Sequence, residues 1–285
     1  MKKIYRTLII LLLFAIIANF SYRIDLNRAE SERVGELAYF PSGYMIHTLA
    51  IGNQTMLADI IWLRFIQYYG EHRMTDLQYE YMYHILDILT TLDPHFVHAY
   101  NLGALMLTHD AKRPDQAFKL LKKFIRDNPE EWRAYFMYGF INYAFMADYK
   151  TALQYFRLSS QQPKAGDMPK RWAAYIAMRK INDPRTAWSL WIDLYDHTRD
   201  PIEKGIAGMY LKDIAMDIAI LDMDSLVQVY RQRYGINPAT INDLVRCGLM
   251  EKIPVEPHGD RYYIKNGKIQ STYQLKLLRA HPSGR

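Results

Sequence analysis

Cysteine is almost absent. One residue, Cys247, stands alone in 285, which excludes an intramolecular disulfide framework and a thiolate metal cluster. In "LVRCGLM" it reads as a small apolar packing residue. The sequence also has no G-x-x-x-x-G-K-[ST] phosphate loop, no G-x-S-x-G nucleophile turn and no H-E-x-x-H zinc helix. No block of like charge stands out, and a net charge of +6 is too mild and scattered to expect nucleic acid as a partner. Between Asp76 and Tyr234 no alternating strand pattern occurs, so a sandwich or barrel is excluded there. What the chain does have is apolar mass. Half of it is hydrophobic and 14% is aromatic, enough for a substantial core.

Long hydrophobic runs are scarce as well, except at the N-terminus. "MKKIYRTLIILLLFAIIANFSY" places Lys2, Lys3 and Arg6 before an unbroken apolar run from Leu8 to Ala18. The run is shorter than the roughly 20 residues of a spanning helix. A cleaved signal peptide, an uncleaved signal anchor and a buried helix all remain open. Tyr5 and Tyr22 at the two interfaces, with Arg6 reaching outward, stretch the span to residues 4–22. No small-x-small cleavage site or lipobox cysteine follows, which favours the anchor. After the span, Arg23, Arg28 and Arg33 are offset by Asp25, Glu30, Glu32 and Glu36. The positive-inside tendency then places the N-terminus in the cytoplasm of a bacterial cell. It makes the chain a single-pass inner-membrane protein whose bulk is exported.

Residues 23–52 read as a juxtamembrane linker with a turn at "FPSGY". "TMLADIIWLRFIQYYGE" follows, apolar on nearly every side and so an expected buried helix, in which Asp59 and Arg64 suggest a cap or a buried ion pair. Beyond it the periodicity is helical almost without break. Proline disfavours the helical state in the residue before it, so Asp93-Pro94, Asn128-Pro129, Gln162-Pro163, Asp183-Pro184 and Asp200-Pro201 are expected to mark helix ends.

Counting reveals a repeat. Ala117, Ala152 and Ala187 are each 35 apart, and Leu121, Phe156 and Trp191 keep the same step. Pro94, Pro129 and Pro163 are spaced 35 and 34, and the small residues Gly103, Gly139 and Ala174 are spaced 36 and 35. The pattern describes pairs of antiparallel helices. A small residue on the first faces a small residue on the second, and a large residue one turn later fills the gap to the next pair. One pair cannot bury its apolar face alone, so several stack.

This pattern resembles the tetratricopeptide repeat, a helix–turn–helix unit of about 34 residues. The matching positions are Leu102-Gly103, Ala117, Leu121 and Pro129, then Tyr138-Gly139, Ala152, Phe156 and Pro163, then Ala174, Ala187 and Trp191. The resemblance covers about Ala58–Tyr234, with a looser first unit at Met82, Leu86 and Pro94 and a possible last helix pair from Pro201 to Gly235. It implies an all-α fold of stacked antiparallel helix pairs, an α-solenoid, over residues 53–221. Its groove is lined by first helices: Tyr100 and Asn101 with Ala104 and Leu107, then Arg133, Phe136, Phe140 and Tyr143, then Arg171, Tyr175 and Arg179. Aromatic anchors edged by arginine are what peptide-binding surfaces use. The stripe Lys119, Lys122, Lys123 and Arg126 lies on a second helix, and a solvated outer face is expected.

Residues 222–285 read as a small α+β module. Gly235 and Asn237-Pro238 mark a turn and a short helix, and Tyr262–Ile264 and Lys268–Gln270 flank an Asn266-Gly267 hairpin turn. "NPATINDLVRCGLMEKIPVEPHGDRYYI" is locally similar to the end of type II secretion pseudopilins, with Glu256 where that pattern has aspartate. Chemistry-bearing groups are few: His95 and His98 with Asp93 have zinc-like spacing, and otherwise read as polar residues of a repeat loop. The expectation is a non-enzymatic interaction scaffold or assembly factor without cofactor or metal, binding other proteins or peptides through the groove. A pilus- or secretion-associated component is the alternative. A metal-dependent enzyme or a glycan binder is the rival from another class.

Overall fold

Aspartate and proline set the helix starts. In the computed structural model, which describes residues 52–273 together with Leu13 and Asn19, Asp148, Asp183 and Asp200 each accept a backbone N–H from the helix they precede. The donors are Thr151, Thr186 and Ile202, at 3.1, 3.1 and 2.9 Å. Pro114, Pro184 and Pro201 occupy first turns, where a missing N–H costs nothing. Asp183-Pro184 and Asp200-Pro201 therefore begin helices and do not end them, because proline's fixed φ suits a first turn. The membrane anchor expected at residues 1–22 and the linker expected at 23–52 lie outside the described residues. No helix among the described residues is long and apolar enough to cross a membrane.

The chain divides into two units, residues 1–99 and 100–285. In the first, α1 (Gln54–Met74) and α2 (Met82–Leu92) pack as neighbours. Ala58, Ile61, Phe65, Tyr68 and Tyr69 form the buried side of α1, and α2 buries Met82, Ile85, Leu86 and Leu89. The Tyr68 hydroxyl accepts the backbone N–H of Tyr81 at 3.1 Å, and Tyr69 stacks on Tyr79 at 5.6 Å. The expectation of a helix buried all round is corrected: Met56, Ile60, Leu63 and Ile66 are exposed. Asp59 and Arg64 are exposed too and form no buried pair; Arg64 donates instead to Gln67 at 3.3 Å.

The boundary between the units falls within α3 (Val97–His109). The second unit continues with α4 (Pro114–Asp127), α5 (Trp132–Ile141), α6 (Tyr149–Ser160), α7 (Met168–Ile176), α8 (Pro184–His197) and α9 (Pro201–Tyr234). Helices α5 to α9 pack against their sequence neighbours. The expected contact between small residues is present in α5 and α6: a Cβ on Gly139 would lie 3.2 Å from the Ala152 carbonyl oxygen and 3.3 Å from both Phe156 Cδ1 and Tyr155 Cβ. Ala117, Ala152 and Ala187 are fully buried, as are Leu121 and Phe156, with Trp191 nearly so. Beside Gly139, Tyr138 stacks on Tyr155 at 3.9 Å, and burial, reinforced by Tyr155, pushes its phenol up to about 12.

The backbone carries the same period. Leu77, Lys112, Ala147 and Asn182 have φ of 57°, 56°, 52° and 59°, and each is 35 residues from the next. The last three sit inside one type of turn: Arg113, Asp148 and Asp183 donate their N–H groups back six residues to Leu107, Asn142 and Ala177, at 2.8, 3.1 and 2.8 Å. Such a turn closes the orphan carbonyls of a helix and requires one left-handed residue. In α5 and α7 the last turn widens to π geometry, over Asn142–Met146 and Ala177–Ile181.

The expected last helix pair is instead one helix, α9, of 34 residues. Its first half packs Ala207, Leu211 and Ile214 against Trp191 and Leu194 of α8. Its second half carries Met216, Met223 and Val227 into the core of the C-terminal module, with Ile241 and Leu244 of α10 (Ile241–Arg246) and Tyr262 and Ile269 of the hairpin. The expected boundary at residue 222 thus falls inside a continuous helix. Strands β1 (Tyr262–Lys265) and β2 (Lys268–Ser271) pair antiparallel with Ile264 opposite Ile269, closed by Asn266 and Gly267, both at positive φ. The buried Glu256 fixes the approach to the hairpin. It accepts the backbone N–H groups of His258 and Asp260 at 2.8 and 2.9 Å and the Ser271 hydroxyl at 3.2 Å. Asp224 of α9 accepts the β2 amide of Ile269 at 2.7 Å, tying the hairpin to the long helix.

Candidate binding face

Helices α5 and α7 are the first helices of successive pairs, and their aromatic side chains converge. Phe136, Phe140 and Tyr143 recur at helical spacing along one side of α5 and its π turn. Trp172 of α7 is the centre of the group. Its ring meets Phe136 edge-on at 6.2 Å, Phe140 at 5.9 Å and Tyr143 at 5.2 Å, and stacks on Phe156 at 5.5 Å. Tyr175, 38% exposed, stands edge-on to both Tyr143 and Trp172 at 6.4 Å. The result is a half-buried aromatic shelf backed by the fully buried Ala152, Phe156, Ala173 and Ile176. Burial, followed by the hydroxyl of Tyr175, pushes the Tyr143 phenol up.

Cations edge this shelf. Arg133 is exposed, pairs with Glu131 at 3.0 Å and lies over Trp132 at 5.0 Å. Lys180 reaches over Tyr149 at 5.4 Å and Tyr143 at 5.9 Å. Arg179 is exposed. Arg171 is held by Glu203 of α9 at 2.6 Å, so its guanidinium is already engaged within the chain.

The α3 residues do not join them. Tyr100 is 0% exposed, its ring stacked on Phe124 of α4 at 4.2 Å with 3° between the planes. Its expected role in partner binding is corrected: a ring covered in this way is core. Ala104 and Leu107 are buried with it. Asn101 is half-buried, and its Oδ1 has no hydrogen-bond partner among the described residues.

Trp172 was not among the residues the repeat register singled out. The signal for it is local: a large aromatic immediately before Ala173-Ala174 has space over two small neighbours. Lys180 was missed because its role depends on the π turn that carries it beside Tyr143.

Among the described residues no group of three histidine, cysteine, aspartate or glutamate side chains could hold a metal ion. Asp93 accepts the backbone N–H of His95 at 2.9 Å, the role of a turn-forming carboxylate. The lysine stripe is largely exposed on α4, with Arg126 paired to Asp127 at 2.7 Å. A further cluster lies where α9 meets the C-terminal module. Burial, then the neighbouring Asp213 carboxylate, raises the Asp217 carboxyl, while Arg179 opposes the shift. His258 Nε2 stands 3.0 Å from Asp213 Oδ1, and its ring stacks on Tyr273 at 3.7 Å. Burial, followed by Glu256 and Asp217, pushes the Tyr262 phenol up to about 12. These groups join the C-terminal module to α9.

Comparison of the chain with protein-family models, with curated proteins and with solved structures returns no match.

Proposed function

We propose that the chain is a tetratricopeptide-type α-solenoid acting as a non-enzymatic protein-interaction scaffold, anchored in a bacterial inner membrane through residues 4–22 with its repeats exported. The observation that carries this reading is the 35-residue recurrence of left-handed residues at Leu77, Lys112, Ala147 and Asn182. Repeats of one supersecondary unit build extended surfaces, and binding on such surfaces is distributed over first helices. The shelf of Phe136, Phe140, Tyr143, Trp172 and Tyr175 supports a partner segment with aromatic or aliphatic anchors. Arg133 and Lys180 favour acidic flanks on that segment.

The test uses surface positions, since truncating Phe136 would also open the core around Phe156. Partners recovered with the full chain by cross-linking and affinity capture should be lost from the double variant Tyr175→Ala, Lys180→Glu. They should persist in Lys119→Glu. Recovery of the same partners by the double variant refutes the shelf as the binding face. A reporter fused after Arg285 should be active only when exported; activity confined to the cytoplasm refutes the orientation.

A further inference from the structure

A second feature of the 100–285 unit lies away from the aromatic shelf. Helices α8 and α9 and the loop after α10 enclose an open cleft of about 600 Å³, within the ordinary range for a small-molecule site. Two rows of α9 side chains form its floor: Ala215, Ala219 and Met223, and beside them Ile218, Asp222 and Leu226. Each row advances by one helical turn per step, so the floor runs for three turns, about 16 Å at 1.5 Å per residue. Trp188 of α8 forms one wall, and Met250 and Pro254 form the other. Its small alanines leave a trench, and its methionines adapt to a flexible apolar guest.

The polar groups define what the guest carries. Three of the eleven lining residues have polar side chains: Arg185, Asp222 and Lys252. Arg185 and Asp222 satisfy each other as an ion pair between α8 and α9. Lys252 has no acidic partner among the described residues, so the cleft carries one spare positive charge. The floor and the α8 wall offer no ladder to a peptide backbone, because the amides of α8 and α9 are spent inside the helices, and Pro254 on the other wall has no N–H. A long, largely apolar cleft with one unpaired cation at its edge matches a chain with a single anionic end. We propose that this cleft binds one long-chain fatty-acid carboxylate, the acyl chain lying along α9 and the carboxylate at Lys252.

Trp188 provides the readout. The full-length chain, held in an amphipathic polymer so that no detergent competes, is titrated with dibromostearate, whose bromines quench tryptophan on contact. Saturable quenching is expected, with its amplitude lost in Trp188→Phe. Ala219→Phe fills the trench and should abolish the saturable phase. Lys252→Glu should weaken binding about fivefold, the scale of one exposed ion pair, while Lys119→Glu leaves it unchanged. Where Ala219→Phe alters the circular dichroism spectrum, Lys252→Glu and the uncharged dibromostearyl alcohol decide. The alcohol should bind at least about fivefold more weakly than the acid. The proposal is overturned by unsaturable quenching, by wild-type amplitude in Trp188→Phe, or by equal binding of acid and alcohol. Quenching only from vesicles of brominated phosphatidylcholine, and not by the free acid, overturns it as well.

Discussion

Adding one methyl group at Gly139 should lower the stability of the second unit, although the same change elsewhere in the chain should raise it. Two effects oppose each other. Alanine is favoured over glycine in a helix interior by about 1 kcal/mol. At Gly139 the new Cβ meets the Ala152 carbonyl oxygen at 3.2 Å, with Tyr155 Cβ and Phe156 Cδ1 at 3.3 Å. Two of those atoms belong to the backbone or its first side-chain carbon, so relief requires moving α6 bodily away from α5. Overpacking of this kind costs about 1–3 kcal/mol. The net expectation for Gly139→Ala is a loss of about 1 kcal/mol, or about 3 °C in Tm for a unit of this size. Gly205 is the internal control. It lies in α9, and a Cβ there meets nothing within 4 Å. Gly205→Ala should therefore gain about 1 kcal/mol from propensity alone. Urea and thermal melts of the full chain followed by far-ultraviolet circular dichroism measure both. If Gly139→Ala stabilises the protein by the same increment as Gly205→Ala, the close approach of α5 and α6 is refuted, and with it the reason for a small residue in the repeat.

The left-handed turns make a second set of expectations. Ala147→Gly should stabilise by about 1 kcal/mol, because an L-residue held at positive φ loses that much and glycine does not; Asn182→Gly should gain less, since asparagine tolerates the conformation, and urea midpoints distinguish the two. Asp183→Ala removes the carboxylate that accepts the Thr186 amide and should cost about 1 kcal/mol in the same assay. Glu256→Ala leaves the His258 and Asp260 amides without their acceptor and should cost about 2 kcal/mol, with hydrogen exchange rising first in β1 and β2. Asp217 gives a pH dependence whose sign is fixed. Its folded pKa is raised by burial, then by Asp213, so its proton is held more tightly folded than unfolded. Its favourable contribution is complete below the unfolded value of 3.8 and declines as pH rises through the folded value. Asp217→Asn should therefore be more stable than the parent at pH 7 and lose that advantage below pH 3.8; an advantage that does not change with pH refutes the assignment.

The sequence shows the repeat wherever packing demands a particular residue size. Ala117, Ala152 and Ala187 are buried at every recurrence, and only a small side chain lets the paired helices approach as Gly139 and Ala152 do. The turn that ends each first helix is equally periodic, yet it escaped notice, because Leu77, Lys112, Ala147 and Asn182 share a conformation and not a chemistry. Three of these four types have no intrinsic reason to adopt positive φ. At Lys112, Ala147 and Asn182 the six-residue backbone bond imposes the geometry, and a backbone constraint leaves no pattern in side-chain identity.

The error at Tyr100 has a different origin. Tyr100 and Phe136 hold equivalent positions in the 35-residue register, which predicts an open face for both. What separates them is the second helix of each pair. In the first pair Phe124 of α4 lies flat on Tyr100. The position 35 residues later is Ser159, too small to cover a ring, and its hydroxyl donates instead to the Trp132 carbonyl at 2.8 Å. Phe136 is left half-buried, tilted against Phe156 of α6 at 5.0 Å and meeting Trp172 of the next helix at 6.2 Å. A register locates equivalent positions, but exposure is decided by the size of the residue opposite, and that residue varies from repeat to repeat. Tyr100 is sealed and Phe136 keeps an open edge because the second helix gives a serine where it had given a phenylalanine.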